Sequence, residues 1–391
     1  MEAGEKQQPW PGAEEEALLK LSGVIPRQGA EEALRAVNDS GRFVALAVEH
    51  GVAAFVLKNI VDSGFTGLVS PTAFQSLRNQ SLRVLARNSF VMAALGKAIL
   101  KLNSAGMVPV LLKGTALEHT VYRYGGLRPM ADADILLTVA ECLKAWQLLQ
   151  LNGFVPLPFK SPLHKLIPLH VGKHLPSLIS GGFSLEIHHS LFWGKGREVE
   201  EKITGGSEER EVPALEGGVK VRVRIPPPGL HFLYLVSHIS KHELDGVSQL
   251  RLYNDLAAML EHYGIEEVLD KAREFAGDTG LSRLLAGKLG ILKRYMGVSI
   301  PESYNAELTQ EEEERFLSFL SSPDQSSKAE RDLFYRETIR AIPGLHRKVI
   351  FLLGDIIPGF AFMKRRYGKR SVLAVLPYYL LRPGKLWWMV K

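Results

Sequence analysis

Cysteine is nearly absent from this sequence: Cys142 is the one thiol in 391 residues. A single cysteine cannot form an internal disulfide, and it cannot supply the repeated ligands of a cysteine-based zinc site. Disulfide-stapled secreted proteins and zinc-ribbon proteins are therefore excluded. A reducing, cytoplasmic location is expected.

Long apolar runs are also missing. No uninterrupted stretch approaches the roughly 20 apolar residues that a membrane-spanning helix needs. The first five residues carry two glutamates and no apolar segment follows them, so no secretory signal is expected. No repeat recurs at a period of about 20 to 50 residues, which excludes solenoid folds.

Acidic residues are lacking at the C-terminal end. Residues 364–391 contain eight Lys or Arg and no Asp or Glu, so of a net charge of +6 the first 363 residues carry −2. The basic character therefore gives no strong nucleic-acid signal elsewhere in the chain. This tail, with apolar residues 372–381 and Trp387-Trp388, suits contact with a membrane surface. The alternative is a C-terminal helix docked on the protein with a solvated basic end.

The residues that are present predict alternating helices and strands. Ser70-Pro71 can start a helix, and apolar residues at steps of three and four predict that it continues to Leu102. Residues 108–112 are apolar and β-branched, which predicts a buried strand. Residues 131–138 are predicted to form the second strand. A helix is expected between them, at Thr115 to Tyr122.

A hairpin is predicted further along the chain. Residues 174–179 and 183–189 flank Ser180-Gly181-Gly182, a turn signal. Residues 193–228 are Gly-rich and charged, and the alternation of Val219 to Ile225 predicts one edge strand within a surface excursion. From Gly229 onward the pattern is helical, including Leu250 to Tyr263.

Two carboxylates, Asp132 and Asp134, open the apolar run that ends at Leu137. If this run is a strand throughout, both side chains leave the same face. Paired carboxylates suit a hard divalent cation. The alternative is a solvated strand end. Upstream, the helix after Gly114 would offer unpaired backbone N–H groups to phosphate oxygens.

The order of these motifs resembles a known family. Lys113-Gly114-Thr115, then Leu127-Arg128-Pro129-Met130 and Asp132-x-Asp134, then Leu185-Glu186-Ile187-His188-His189, are similar to the uncharacterised nucleotidyltransferase-like branch of the DNA polymerase beta superfamily. The resemblance covers about the middle half of the chain. It implies an α/β fold with a mixed α+β sheet: a polymerase-beta-like nucleotidyltransferase domain with an N-terminal helical layer and a C-terminal helical domain.

The resemblance also implies an activity. Asp132, Asp134 and Glu186 would be the catalytic carboxylates that hold Mg²⁺ (or Mn²⁺), and Gly114 and Thr115 would hold triphosphate oxygens. The enzyme would transfer a nucleoside monophosphate from a nucleoside triphosphate such as ATP to an acceptor, releasing pyrophosphate. Two features depart from the usual pattern: Glu186 replaces an aspartate, and the interval from Gly114 to Asp132 is long.

Four charged residues are candidates for nucleotide binding. Lys113 and Arg128 could neutralise triphosphate charge, although Arg128 could instead orient a loop or pair with Asp132. Arg251 and Asp255 lie at i and i+4 of a predicted helix. They form either a surface pair or, as the resemblance implies, a contact to nucleotide or acceptor.

Histidines give a weaker signal. His170 and His174, and likewise His238 and His242, would face each other at i and i+4 of a helix, but the Glu of a zinc-protease motif is missing. We therefore expect satisfied or exposed histidines at these positions. His188 shares a strand face with Glu186 and is expected closest to the site.

The length of the chain predicts more than one domain. The predicted segments are a leader at 1–13, an N-terminal helical region at 14–105, a nucleotidyltransferase-like domain at 106–228, a helical domain at 229–300, an acidic linker or arm at 301–332 and a basic, apolar segment at 333–391. Two other functions stay open: a nucleotide- or partner-binding module without turnover, and a membrane-surface accessory protein in polysaccharide or lipid assembly.

Overall fold

The computed structural model describes residues 11–123, 125–192, 198–214, 218–325 and 331–380. The chain forms two compact units, each built from separate stretches of sequence. Unit 1 contains the described residues of Met1–Ser89, Ala116–Met130 and Pro228–Ala329, and unit 2 contains those of Phe90–Thr115, Ala131–Pro227 and Glu330–Lys391.

Unit 1 is helical. Its helices are α1 (Ala13–Leu21), α2 (Ala30–Arg35), α3 (Ser40–Glu49), α4 (Ala53–Asp62), the first part of α5 (Pro71–Ser104), most of α6 (Lys113–His119), α9 (Pro228–Leu244), α10 (Leu250–Tyr263), α11 (Ile265–Thr279), α12 (Ser282–Tyr295) and α13 (Gln310–Ser321). Asp39 caps α3 by accepting from the Arg42 N–H, and Thr309 with Glu312 forms a capping box on α13.

The core of unit 1 joins the N-terminal helices to the later ones. Leu18, Phe55 and Phe232 are fully buried, as the apolar periodicity of their helices requires. His50 links the two sets directly: its Nε2 lies 2.9 Å from the Leu320 carbonyl and its Nδ1 accepts from the Leu250 N–H. The N-terminal helices therefore share one core with the helices that follow Pro228.

The long helix α5 confirms the prediction from the 3- and 4-residue spacing, since it runs from Pro71 to Ser104 with Ser70 accepting from the Ala73 N–H. The next helix, α6, starts two residues before the predicted Thr115 and ends at His119 rather than Tyr122. Lys113, its first residue, has φ +49°, a left-handed conformation that costs energy for a residue with a side chain.

Unit 2 contains a seven-stranded mixed sheet, which confirms the predicted fold class. In chain order its strands are β1 (Val110–Leu111), β2 (Ala133–Leu136), β3 (Val155–Pro156), β4 (Leu178–Ser180), β5 (Phe183–His188), β6 (Glu208–Pro213) and β7 (Lys220–Ile225). Their order across the sheet is β3-β4-β5-β2-β1-β7-β6. The helices of unit 2 are α7 (Val139–Leu151), α8 (Glu198–Gly206), α14 (Arg331–Ala341), α15 (Leu345–Ile356) and α16 (Phe360–Arg366), with the end of α5.

The segment after residue 193 corrects one prediction. The sequence predicts a single edge strand, but β7 is an inner strand and β6 forms the edge. Val221, Val223 and Ile225 are buried, as their alternation requires. β6 was missed because its sequence is mostly charged, and cross-strand pairs such as Arg222 with Glu209 (3.3 Å) replace an apolar pattern.

The hairpin of β4 and β5 is confirmed. Ser180 pairs with Phe183, and the intervening Gly181 and Gly182 adopt φ of +54° and +85°, which glycine tolerates without strain. β5 also pairs in parallel with β2. This second pairing fixes which residues of the two strands lie side by side.

Parts of two predicted segments lie outside the described residues: positions 1–10 of the leader, and positions 381–391 of the tail, which include Trp387-Trp388. Within the part of the chain that the structure describes, no helix combines the length and apolarity needed to cross a membrane.

Candidate functional site

Two neighbouring parallel strands bring together the acidic residues predicted from the sequence. In the β2–β5 register Asp134 lies beside Glu186, and Leu136 lies beside His188. Because side chains alternate along a strand, Glu186 and His188 share one face. One ligand atom from each of Asp134, Glu186 and His188 lies within 4.8 Å of the other two, and no second group of this kind occurs among the described residues.

Asp134 is the centre of this group. It is 4% exposed, and its Oδ1 accepts from Lys113 Nζ at 2.7 Å and lies 2.8 Å from His188 Nε2. Burial alone would raise the pKa of Asp134, but the Lys113 charge and the His188 hydrogen bond outweigh burial and hold the pKa well below its usual range. The carboxylate is therefore ionised at neutral pH.

His188 is also buried, at 3% exposure. Burial disfavours the imidazolium, but the hydrogen bonds to Asp134 and Glu186 favour it more strongly and raise the pKa of His188. Its Nε2 lies 3.6 Å from Glu186 Oε2, so the ring stands between the two carboxylates.

Glu186 is half-buried and is held from a second side by the hairpin. Ser177 donates to its Oε1 at 3.2 Å, and His174 Nε2 lies 3.6 Å from its Oε2. Burial raises the pKa of Glu186, but the His188 hydrogen bond outweighs it and the pKa is lowered. Glu186 is thus ionised beside Asp134, which leaves two negative charges in one pocket of the sheet.

Sequence reasoning missed Ser177 and His174 as neighbours of the site. The hairpin pattern contained the signal for Ser177: if Ser180 faces Phe183, then Ser177 faces Glu186 by counting along the strands. His174 was treated as one member of a helical pair with His170. That pairing is wrong, because the short 3-10 helix Pro168–His170 ends before it and His174 forms a β-bridge with His188.

Asp132 does not join this group. It is half-buried in a bend, one residue before β2 begins at Ala133. The prediction that the strand begins at Ala131 and includes Asp132 is therefore wrong. Pairing with β5 starts only at Ala133, opposite Leu185, so the strand geometry that the argument needs does not reach Asp132.

Gly114 and Thr115, the predicted phosphate-binding residues, directly follow Lys113 in the chain, but both are buried. Gly114 is buried and Thr115 is 1% exposed. The Thr115 hydroxyl donates to the Leu112 carbonyl at 2.8 Å. Lys113 is the residue of this motif that reaches the site, and its left-handed backbone conformation is the kind of strain that structures retain at functional positions.

Arg128 and Asp255 form a different cluster, within unit 1. Arg128 Nε lies 2.9 and 2.8 Å from the two carboxylate oxygens of Asp255, and Tyr122 donates its hydroxyl to the same carboxylate at 2.8 Å. Arg128 is 5% exposed and Asp255 is 0% exposed. Burial and the neighbouring Asp255 charge together raise the pKa of Tyr122.

The backbone on either side of Arg128 is also hydrogen-bonded, through the side chain of Asn88. The Asn88 side-chain amide donates to the Arg128 carbonyl at 2.8 Å and accepts from the Met130 N–H at 3.1 Å. Arg128 thus pairs with Asp255, a partner that the sequence did not suggest. The alternative of a loop-orienting residue agrees with this geometry.

The predicted surface pair of Arg251 with Asp255 is wrong. Asp255 faces the interior of unit 1, whereas Arg251 donates to the Gln249 side chain at 2.7 Å and to the Pro129 carbonyl at 3.1 Å. Spacing of i and i+4 places Arg251 and Asp255 on one side of the helix. Asp255 is nevertheless buried, and its charge is paired with the buried Arg128.

His238 and His242 do face each other on α9, with their Nε2 atoms 3.2 Å apart. Among the described residues no third His, Cys, Asp or Glu completes a ligand group with them.

The donor set around Asp134 fits a divalent cation. Two ionised carboxylates supply the hard oxygen ligands that Mg²⁺ and Mn²⁺ prefer, and an imidazole nitrogen is a ligand that transition metals accept. The Lys113 ammonium 2.7 Å from Asp134 shows that this position already attracts a positive charge. Asp134, Glu186 and His188 are the residues that would hold the ion.

Comparison with known proteins identifies a family. No curated protein and no solved structure matches the chain. A family model described as "uncharacterised nucleotidyltransferase" matches residues 37–297, more than half of the chain, and this range includes Lys113, Asp134, Glu186 and His188. The chain therefore belongs to this uncharacterised nucleotidyltransferase family.

Proposed function

We propose that the protein is a Mg²⁺-dependent nucleotidyltransferase that moves a nucleoside monophosphate from a nucleoside triphosphate to an acceptor and releases pyrophosphate. The observation that carries this proposal is the convergence of Asp134, Glu186 and His188 on adjacent parallel strands. Family membership supports the reaction class.

Each residue of the site has a distinct task in this proposal. A bound divalent ion would stabilise charge on the reacting phosphoryl oxygens. Asp134 and Glu186 provide the negative charge that binds the ion. Lys113 exchanges its contact with Asp134 for a contact with the triphosphate, since its four-carbon side chain is partly exposed and flexible. His188, which lies between the two carboxylates, would give up its proton and join them as a ligand of the ion.

We also propose that the fold belongs to the DNA polymerase beta superfamily. The support is a mixed sheet with carboxylates on neighbouring strands and a Lys-Gly motif directly after β1. Asp132 would then serve a second ion from its position just before β2. In this proposal Gly114 and Thr115 shape the phosphate side of the site.

Other assignments stay predictions. They are the nucleotide contacts of Arg128, Arg251 and Asp255, the six segment boundaries, the cytoplasmic location and the membrane contact of residues 364–391. Within that last segment, Val372, Leu373, Leu376 and Leu380 are exposed apolar side chains beside basic ones, which is the observation in its favour.

A pyrophosphate-release assay tests the proposal. The full chain is incubated with each nucleoside triphosphate and Mg²⁺ or Mn²⁺, and nucleotide binding is measured in parallel by isothermal titration. We expect binding and release in the wild type, and loss of release in Asp134→Asn and Glu186→Gln. Glu211→Gln, an exposed change on β6, is the matched control and should behave as the wild type.

Two results would change the assignment. Binding of nucleotide without release under every metal would favour the module without turnover. Release that persists unchanged in both carboxylate variants would place the reaction elsewhere in the chain.

A further inference from the structure

A cavity of about 700 Å³ lies in unit 2, apart from the carboxylates. Its walls are α7, the segment from Pro156 to Pro168 and the first turn of α16. Protein sites for small molecules typically measure roughly 300–1,000 Å³. The cavity therefore has the size of a binding site.

The walls are mostly apolar. Trp146, Phe159, Phe360 and Phe362 contribute four aromatic rings, and four prolines line the same space. Proline has a fixed φ and no N–H, so these four residues give the wall shape without adding backbone donors, and the polar groups come from Gln147, Gln150 and Lys165. Trp146 and Phe159 pack edge to face at 6.2 Å, and the Trp146 N–H donates to the Pro176 carbonyl. An apolar ligand can thus enter without stranding the Trp146 N–H.

The one ionisable residue that lines this cavity is basic. This residue, Lys165, is exposed, and among the described residues it makes no ion pair. A second observation comes from α16. The first three residues of α16, Phe360 to Phe362, line the cavity. Each of them is followed four positions later by a basic residue, in the run Lys364 to Arg366. Residues at i and i+4 lie on one helix side, so the basic turn follows the lining turn on the same faces.

We propose that this cavity binds a single-chain anionic amphiphile, with its apolar body among the aromatic rings and its anionic head near Lys165 and the basic turn of α16. A cationic ligand would meet like charge, and a purely polar ligand would lose hydration against the aromatic and proline side chains, which offer it no hydrogen-bond partner. The proposal does not rest on nucleotidyl transfer, because none of Lys113, Asp134, Glu186 or His188 lines the cavity.

The test uses decyl phosphate below its micellar concentration, titrated calorimetrically into the full-length chain. Decyltrimethylammonium and inorganic phosphate are the comparison probes. We expect decyl phosphate to bind at least about tenfold more tightly than either comparison probe. Only decyl phosphate has both an alkyl chain for the apolar wall and an anionic head for the basic residues. Equal affinity for the cationic probe, or for phosphate without a chain, would overturn the proposal.

Two pairs of variants locate the site. Leu157→Glu places a charge in the wall, and Leu166→Glu makes the same change at a neighbouring exposed leucine outside it. Lys165→Glu is matched by Lys144→Glu on α7, also outside the lining. We expect about tenfold weaker binding in Leu157→Glu and Lys165→Glu, with wild-type affinity in both controls. If the lining variants bind as tightly as their controls, the cavity is not the site.

Vesicles distinguish the source of the amphiphile. Co-sedimentation with phosphatidylglycerol vesicles that is lost in Leu157→Glu but kept in Leu166→Glu would support the proposal with a membrane lipid as ligand. Decyl phosphate binding without vesicle binding would support it with a soluble amphiphile. Vesicle binding that both leucine variants retain, with no decyl phosphate binding, would contradict it. Unfolding curves in urea confirm that each variant is folded.

Discussion

Two buried aspartates, one in each unit, show how similar local chemistry serves different ends. Asp255 in unit 1 is fully enclosed, and its two oxygens are occupied by Arg128 and Tyr122. Asp134 in unit 2 meets a lysine and a histidine at one oxygen, and a second carboxylate, Glu186, stands within the same group of atoms. The first cluster is a closed pair of one carboxylate and one guanidinium, whereas the second contains two carboxylates, a lysine and a titratable histidine.

The difference indicates that the Lys113–Asp134 pair can be exchanged for another cation, whereas the Arg128–Asp255 pair cannot. Arginine is always charged, and its planar guanidinium is suited to a permanent buried pair, whereas lysine is a flexible point charge that can swing to solvent or to another anion. A buried arginine pair therefore fixes a fold, and a lysine beside two carboxylates marks a place where a cation can enter. The Arg-Pro motif belongs to the first kind and the Lys-Gly motif to the second.

The largest expected effect is on stability in unit 1. Asp255→Asn leaves the Arg128 charge buried without its counter-charge, and we expect a loss of about 3–5 kcal/mol in the free energy of unfolding. Urea unfolding measures it. Arg210→Ala, which removes an exposed pair with Glu208, is the control and should cost less than about 1 kcal/mol. If both variants lost the same free energy of unfolding, the buried pair would contribute no more to stability than the surface pair, and the comparison would fail.

Next is the effect of Asp134→Asn on activity. Losing a residue that supports a metal ligand typically costs roughly 10- to 100-fold, so losing the central ligand should lower pyrophosphate release by more than about 100-fold. Stability should fall by less than about 2 kcal/mol, because Lys113 can reach water and Glu186 remains as a counter-charge. An Asp134→Asn protein as unstable as Asp255→Asn would contradict the comparison.

Asp132→Asn sharpens the account of the metal site. Asp132 stands outside the group formed by Asp134, Glu186 and His188 and would serve the second ion, so we expect a smaller loss, of roughly tenfold. Steady-state rates of pyrophosphate release at saturating Mn²⁺ test this. A loss as large as that of Asp134→Asn would instead make Asp132 a ligand of the same ion as Asp134.

The smallest effect is a pH dependence in unit 1. Burial lowers the pKa of His50 to about 4, below the value of about 6.5 in an unfolded chain. The unfolded state then binds the proton first, so stability is lost as pH falls from about 6.5 toward 4. Protonation of Nδ1 would also break the bond from the Leu250 N–H. Between pH 6.5 and 5.5 we expect a loss of about 1 kcal/mol from this group.

His50→Gln provides the control for that pH dependence. The variant should be less stable at pH 7.5, yet its free energy of unfolding should change less between pH 6.5 and 5.5 than that of the wild type. Unfolding free energies measured at both pH values decide the matter. An unchanged slope would show that His50 does not titrate in this window.

Much of the fold could be predicted because it follows local periodicity. The helix Pro71–Ser104 and the helix Leu250–Tyr263 repeat apolar residues at helical spacing, and the β4–β5 hairpin has its turn glycines. β6 could not be predicted, since a charged edge strand has no apolar alternation. Its residues pair with β7, the next strand in the chain, and only that pairing shows that the charged segment is a strand.

The site was predicted in part. The resemblance to the family brought Asp134 and Glu186 together, and the β2–β5 register places them side by side. The placement of Asp132 failed because the start of a strand depends on its partner, and β5 pairs only from Leu185. The partner of Arg128 could not be inferred, because Asp255 lies 127 residues away and only packing decides that contact.

Binding of Mn²⁺ to the full chain, followed by electron paramagnetic resonance, tests the central claim most directly. The wild type and Asp255→Asn should bind Mn²⁺ with the same affinity, provided that the variant is studied below its unfolding transition, and Asp134→Asn should not bind it. Equal Mn²⁺ binding by Asp134→Asn and the wild type would contradict the assignment of the metal site to Asp134, Glu186 and His188.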